Sequence, residues 1–182
     1  MIRKTNSFLI ILILQLSILP VARALDNETW LEISDITVTT LMTSALLIPS
    51  VRGDWDGTKQ AFYSIGFTQG VTILTKSVIH AKRPDLSDNN SFPSGHTASA
   101  FASATTLYRR YGWEIGFPAY ALATLTGSAR VIGRKHYWYD ALVGAAVGSA
   151  SGWYFTDAFD ENIELYPWVD TKSVGINFVY RW

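Results

Sequence analysis

Lys76, Arg83 and Arg130 supply three cations, His96 and His136 two imidazoles, and Asp140 a carboxylate. They lie in three short stretches: Lys76-Ser-Val-Ile-His-Ala-Lys-Arg83-Pro84, Pro93-Ser94-Gly95-His96, and Arg130-Val-Ile-Gly-Arg-Lys-His136-Tyr-Trp-Tyr-Asp140. That inventory suits binding a tetrahedral oxyanion and attacking it with an imidazole. An arginine offers a bidentate fork to phosphate, and a lysine acts as a point charge. Lys76 and Arg83 are two helical turns apart, so they share a face if the helix persists. His80 falls between them, where helix packing is its ordinary role. Taken singly, each stretch also has a plain structural reading. Lys-x6-Arg-Pro can be a snorkelling helix end, and Pro-Ser-Gly-His a turn with an N-cap.

Ser94 and Gly95 come just before an apolar-periodic run. Backbone N–H groups at a helix start bind phosphate oxygens, glycine permits close approach, and the Ser94 hydroxyl adds a donor. His96 opens the same helix. Beside a phosphate ester it can protonate the leaving oxygen and then activate water, general acid–base work typically worth about 10²–10⁴-fold. His136 and Asp140 are four apart, which stacks them on one helix face. Asp140 then accepts one imidazole N–H and leaves the other nitrogen to attack, the base-and-orienter logic of catalytic triads with histidine as the nucleophile. The rival reading of that pair is an i,i+4 contact on a surface helix. Arg130 stands across the Gly133 break from His136 and can swing to the same anion. Arg134 and Lys135 raise the local positive potential.

The order and spacing of the three stretches resemble the signature of the type 2 phosphatidic acid phosphatase family. That family also takes in bacterial non-specific acid phosphatases and vanadium haloperoxidases. Its pattern is Lys-x6-Arg-Pro, then Pro-Ser-Gly-His, then Ser-Arg-x5-His-x3-Asp. The chain departs once: Ala129 stands where the family has the serine before the third-motif arginine, with Ser128 one place earlier. The resemblance spans roughly residues 35 to 156. It implies an all-α helical bundle of the phosphatase/haloperoxidase type. It also implies a phosphohistidine on His136, leaving-group catalysis by His96, and orientation of His136 by Asp140. Lys76, Arg83, Ser94, Gly95 and Arg130 would hold the phosphate oxygens. No metal or other cofactor is expected, because three cations supply the charge that magnesium supplies elsewhere. No Walker loop, zinc motif or dinucleotide fingerprint occurs.

Five helices must position these groups. The uncharged run Ile36 to Val51 reads as the first, after a polar lead-in from Leu25 to Asp35. Arg52 to Gly57 is a turn. A second helix is expected over about Thr58 to Ala81, ending before Pro84, followed by a polar loop from Asp85 to Phe92. A third starts near Ser94 or His96 and stops at Gly112, a natural C′ residue. A fourth spans about Glu114 to Ile132, and a fifth runs from near His136 to about Phe155. Small residues crowd Ala98 to Thr106 and Gly144 to Gly152, so the helix backbones can approach closely. In the tail, Val174, Ile176, Phe178, Tyr180 and Trp182 alternate with smaller or polar residues, which is strand periodicity. Ile163 to Val169 can pair with that run as a short hairpin.

The chain has 182 residues and reads as one domain after an export signal. Arg3 and Lys4 precede the apolar run Phe8 to Leu19, and Ala22-Arg23-Ala24 fits a cleavage site. Residues 1–24 therefore form a signal peptide or an uncleaved anchor, 25–156 the helical domain, and 157–182 the tail. Without the first 24 residues, twelve basic and fifteen acidic side chains remain, a net charge of −3. That leaves no basic excess for nucleic acid. With no cysteine, neither a disulfide nor a thiolate metal site exists.

The uncharged runs are 15 or 16 residues long, short of the roughly 20 that a span needs. Alternating crossings nevertheless put all three motifs on the outer side and Arg52, Lys59, Arg109 and Arg110 on the inner side, as positive-inside topology asks. The sequence thus points to an exported phosphatase for phosphate monoesters or terminal pyrophosphates, with a phosphorylated lipid favoured over a small phosphate ester. It would sit in the inner membrane with its site facing the periplasm, or act as a soluble periplasmic acid phosphatase. A vanadium haloperoxidase and a non-catalytic binder of anionic lipid are the remaining readings.

Overall fold

A computed structural model describes residues 25–157, 163–170 and 173–180 of the chain. Five helices form the bundle: α1 Asn27–Val51, α2 Trp55–Val78, α3 Gly95–Tyr111, α4 Trp113–Ile132 and α5 Trp138–Phe155. Beyond them, β1 Ile163–Asp170 pairs antiparallel with β2 Ser173–Tyr180, in a register that sets Leu165 opposite Phe178. The signal segment lies outside the described residues.

α3 is the axis, packing against each of the other four helices. Its sequence explains the position. Ala98, Ala100, Ala102 and Ala104 are fully buried, and Ser99, Ser103, Thr105 and Thr106 nearly so. A helix this small all round lets its neighbours come close on every side. The approach is tightest against α5, where Gly144, Gly148 and Gly152 recur every four residues and so share one face. A methyl group on Gly144 would sit 2.5 Å from the Ser94 carbonyl oxygen. One on Gly148 would overlap the Ala98 carbonyl oxygen, and one on Gly152 would meet Thr105 Cβ at 2.6 Å. The stripe is therefore a close-packing seam.

Hydroxyls tie the remaining pairs together. Thr37 and Thr126 join α1 to α4 at 2.8 Å, and Thr105 meets the Tyr120 hydroxyl between α3 and α4 at 2.9 Å. Ser151 donates to the Ser64 carbonyl at 2.8 Å, joining α5 to α2. Large side chains lie outside instead. Phe62, Phe67, Ile73, Leu74, Val78, Leu142 and Tyr154 are all more than half exposed. The packing thus departs from the usual soluble arrangement: alanine and hydroxyls predominate within, beside Trp30, Leu41 and Leu107, while most of the large aromatic and aliphatic side chains lie outside.

Three boundaries differ from the sequence expectation, and each affects the site. α1 begins at Asn27, so the polar lead-in is its first two turns. Asp26 caps it by accepting from Thr29 N at 2.8 Å, and Trp30 and Ser34 bury one face. α2 stops at Val78 rather than near Ala81, with Ile79 extended. Lys76 is therefore helical and Arg83 is not, so a shared helix face does not bring them together. α5 begins at Trp138, after an extended Tyr137, which leaves His136 in the turn before it.

Candidate active site

The site lies at the end of the bundle where α1 and α3 begin and α2 and α4 end. His136 is 2% exposed. Its Nδ1 lies 2.6 Å from the Ser91 carbonyl oxygen. A carbonyl only accepts, so Nδ1 carries the proton and Nε2 keeps its lone pair. Asp140, expected as the direct partner, stands 3.8 Å from Nδ1, beyond hydrogen-bonding range. Its Oδ2 instead accepts from the Ser91 hydroxyl and from Tyr137 N at 2.9 Å. The reason is the late start of α5. His136 precedes the helix, so the two residues do not stack one turn apart, and Asp140 serves the first turn of α5. It reaches His136 through Ser91, whose hydroxyl it holds and whose carbonyl holds the ring. The Asp140 carbonyl also accepts from Ser94 N at 3.1 Å, locking the start of α5 to the start of α3.

Burial, then the positive fields of Arg83, Arg130 and Lys76, push the His136 imidazole down to about 3. All three motif cations thus act on this one ring. Arg83 is fixed by Asp88, whose Oδ1 accepts from Nε at 2.7 Å, and by the Lys135 carbonyl, 3.2 Å from Nη1. The loop between α2 and α3 thus carries Arg83 back to the pocket after the helix has ended. That loop is stitched to the α4–α5 turn. Asp85 N donates to the Arg134 carbonyl at 3.1 Å, and Lys135 Nζ lies 2.6 Å from Asp85 Oδ2. Burial would raise the Asp85 carboxyl, but hydrogen bonds from Lys135 and Ser87 hold it well below the usual range. Lys135 is therefore committed to Asp85, and Arg134 is exposed. His80 is exposed beyond the end of α2.

Ser94 is the N-cap of α3. Its hydroxyl meets Thr97 Oγ1 at 2.9 Å and accepts from Thr97 N at 3.5 Å. The plain capping role is thus filled, and the hydroxyl is fully buried. Gly95 begins the helix, with only Thr72 Oγ1 near a would-be Cβ, at 3.8 Å. Arg130 is 8% exposed, and its Nε has no hydrogen-bond partner among the described residues. A buried guanidinium N–H left unpaired is costly, and an anion in the pocket relieves that cost. Ala129 is fully buried while Ser128 faces outward, so Ser128 does not replace the missing hydroxyl.

Sequence reasoning missed Asp35. Its Oδ1 lies 3.0 Å from His96 Nε2 and 3.4 Å from Arg130 Nη1, bridging the two. The signal was available: Asp35 is one helical turn from Trp30–Leu31 and within an apolar-periodic run, had the helix been started at Asp26. Ser91 and Asp88 were also missed. Ser91 acts on the ring through a main-chain carbonyl, which no side-chain pattern encodes. Asp88 sits in a polar loop whose acids look interchangeable until its fold is known.

Helices that share a small-residue axis, with three cations and two histidines gathered at one end, define a class of anion-binding bundle. The chain belongs to the PAP2 superfamily, whose family model matches residues 57–164. It is 32% identical over 108 residues to the lipid A 4′-phosphatase of Helicobacter pylori, covering 56% of this chain and 54% of that protein. It is 45% identical over 98 residues to the lipid A 1-phosphatase of Porphyromonas gingivalis, covering 50% of this chain and 22% of that one. The chain therefore spans about half or less of the length of these relatives. Among solved structures, Aquifex aeolicus LpxE superposes with a TM-score of 0.62 at 22% identity, over 71% of this chain and 84% of that one. A transmembrane PAP2-type phosphatidylglycerolphosphate phosphatase from Bacillus subtilis gives 0.58 at 22% identity, over 71% and 74%. These two likenesses bear on the fold, and they match the all-helical bundle.

Proposed function

We propose that the chain is a membrane-embedded phosphatase that removes a phosphate from a lipid through a phosphohistidine on His136. The observation that carries the reading is the His136–Ser91 contact, which leaves Nε2 unprotonated inside a pocket of three cations. Nε2 attacks phosphorus, the P–O ester bond breaks, and His96 gives a proton to the departing oxygen. Water then gives a proton to His96 and attacks phosphorus. The P–N bond breaks, and phosphate leaves. Lys76, Arg83 and Arg130 neutralise the charge on the phosphoryl oxygens throughout, with the N-terminal amides of α3 assisting. Asp140 and Ser91 fix the nucleophile, and Asp35 positions His96 and Arg130.

The preference for a lipid rests on the outward-facing large side chains and on the relatives, which act on lipid A. In water, an exterior bearing Phe62, Phe67, Leu74 and Val78 would be an aggregation surface. In a bilayer it is the natural one. α1 is long and apolar enough to cross a membrane. The five helices are 17 to 25 residues long, or about 26–38 Å at 1.5 Å per residue. Arg52, Lys59, Arg109 and Arg110 gather at the end opposite the site, which directs the site outward. An exported chain then opens its pocket to the periplasmic face.

The test uses para-nitrophenyl phosphate and a short-chain phosphatidate, both in EDTA. Wild type is expected to release phosphate from both, and His136→Ala from neither. His96→Ala is expected to keep kcat/KM on the aryl ester, a good leaving group, while its kcat falls because the phosphohistidine has lost the base that activates water, and to lose about 10²–10⁴-fold in kcat/KM on the alkyl ester. Trapping of acid-labile, base-stable phosphate on wild type but not on His136→Ala identifies the intermediate. Loss of wild-type turnover in EDTA contradicts the metal-free reaction.

A further inference from the structure

α4 and α5 both pack on α3 but touch each other little. The gap between them is a groove of about 510 Å³, lined by Phe101 on its floor, Thr124, Gly127 and Val131 on α4, and Leu142 and Ala145 on α5. The groove adjoins the candidate active site along its upper rim. Thr97 follows His96, Val131 and Ile132 follow Arg130, Trp138 lies between His136 and Asp140, and Ala141 follows Asp140; all of these also line it.

We propose that this groove holds one alkyl chain of the substrate while the phosphate sits in the cationic pocket. The inference rests on the phosphatase reading above and adds the subsite that selects lipid over soluble phosphate. Two features argue for this occupant. Chain neighbours of His96, Arg130 and Asp140 line the groove's near end, so a ligand with its anionic head among the cations can lay a saturated tail along carbon. Small residues, Gly127 and Ala145, stand on its two walls, and a Cβ on Gly127 would press on Thr97 Cγ2 at 3.1 Å. The volume lies within the range of about 300–1,000 Å³ usual for small-molecule sites. The groove opens sideways, so a tail enters from the bilayer without leaving hydrocarbon.

Filling the groove tests the assignment. Ala145→Phe and Thr124→Phe come from opposite walls, and neither residue touches the phosphate pocket. Each is expected to lower kcat/KM for monomeric dihexanoyl phosphatidate at least tenfold and to leave para-nitrophenyl phosphate within twofold. For wild type, kcat/KM on alkyl phosphates is expected to rise about fourfold per added methylene over short chains, from the free energy of burying one methylene. Equal loss on both substrates, or no loss on either, overturns the groove.

A second readout does not depend on turnover. The chain has no cysteine, so Ala145→Cys provides a single thiol for maleimide labelling. Decyl phosphate is expected to slow labelling at least fivefold, and inorganic phosphate to leave it unchanged. Labelling unaffected by decyl phosphate overturns the proposal. Absence of wild-type phosphate release from every substrate overturns the phosphatase reading instead, and the labelling result then decides the groove alone.

Discussion

At the scale of single residues, the decisive feature is an imidazole kept neutral by its surroundings. Burial and the fields of Arg83, Arg130 and Lys76 push the His136 imidazole down to about 3, against an ordinary histidine near 6.5. The sign follows directly. Between those values the unfolded chain binds a proton that the folded chain refuses, so the His136 contribution to stability is complete above pH 6.5. It is lost as pH falls toward 3. Under the proposed mechanism, catalysis would follow the same ring. For para-nitrophenyl phosphate, which needs no acid, kcat/KM reports only the first phosphoryl transfer. Corrected for the substrate's own second ionisation near pH 6, it is expected to stay flat from pH 7 to 5. Arg83→Gln removes the largest of the three repelling charges, so the acid limb is expected to move toward neutral pH. A limb fixed near 6.5 in both proteins would mean that another group titrates. Asp35 makes a separate prediction, because it touches both His96 and Arg130. Asp35→Ala is expected to lower kcat on an alkyl phosphate about tenfold with KM within about threefold, as loss of an orienting group does. The same variant is expected to leave kcat/KM on the aryl ester little changed, because its first transfer needs no acid. A fall in KM with unchanged kcat would instead make Asp35 a competitor for the phosphate position.

At the scale of elements, the seam between α3 and α5 decides whether these side chains meet. Gly144, Gly148 and Gly152 let α5 lie on the α3 backbone, and the Asp140 carbonyl docks on Ser94 N just above the first of them. Gly148→Ala drives a methyl group into the Ala98 carbonyl, which must separate the two helices. Overpacking of this kind costs about 1–3 kcal/mol. Thermal unfolding in detergent is expected at a lower Tm for Gly148→Ala, with reduced turnover at temperatures where it remains folded. An Ala substitution at Gly66 or Gly70, where no atom lies within 4 Å of the added group, serves as the control. This seam also marks how far the sequence could be read. Five helices, their order and the small-residue crowding of α3 and α5 were legible, because helix period and glycine spacing are local signals. The cations and histidines were legible from their spacing. Their means of convergence was not. Arg83 is brought back to the pocket by a loop pinned by Asp88 and the Lys135 carbonyl, and it shares no helical face with Lys76. His136 is oriented by Ser91, 45 residues upstream, and Asp35 arrives from a first helix whose polar opening turns look like a loop. Each of these depends on tertiary contacts between segments distant in sequence, which a one-dimensional pattern does not carry.

At the scale of the whole molecule, the two ends are built for different surroundings. The site end holds the cationic pocket and the exposed rings of Tyr137, Trp138 and Tyr139. The opposite end holds Arg52 over the Tyr111 ring, Arg109 over the Trp153 ring, and exposed Trp55, Trp113 and Tyr154. Under the proposed membrane reading, aromatic rings near both ends of a carbon-rich waist would meet the two interfaces, and the arginines would snorkel to the inner one. Within that inner end Asp54 is 7% exposed and accepts from Arg110, from Tyr111 at 2.9 Å and from Gly57 N at 2.9 Å. It ties the starts of α2 and the end of α3 together as firmly as Ser94 ties α3 to α5 at the other end. Burial works against the Asp54 charge, and the hydrogen bonds from Arg110, Gly57 and Tyr111 keep its carboxyl below the ordinary range all the same. Removing Asp54 takes the acceptor from Arg110, Tyr111 and Gly57 N at once, and breaking a buried pair of this kind is expected to cost about 3–5 kcal/mol. Asp54→Ala is therefore expected to unfold at a markedly lower temperature than Asp35→Ala, although Asp35 lies at the site and Asp54 at the far end. The membrane reading is checked on the same preparations. Wild-type chain is expected to stay with membranes after an alkaline carbonate wash and to be released by detergent alone. Release by carbonate would return the soluble reading, and the exposed waist of Phe62, Phe67, Leu74 and Val78 would then have to be covered by a protein partner.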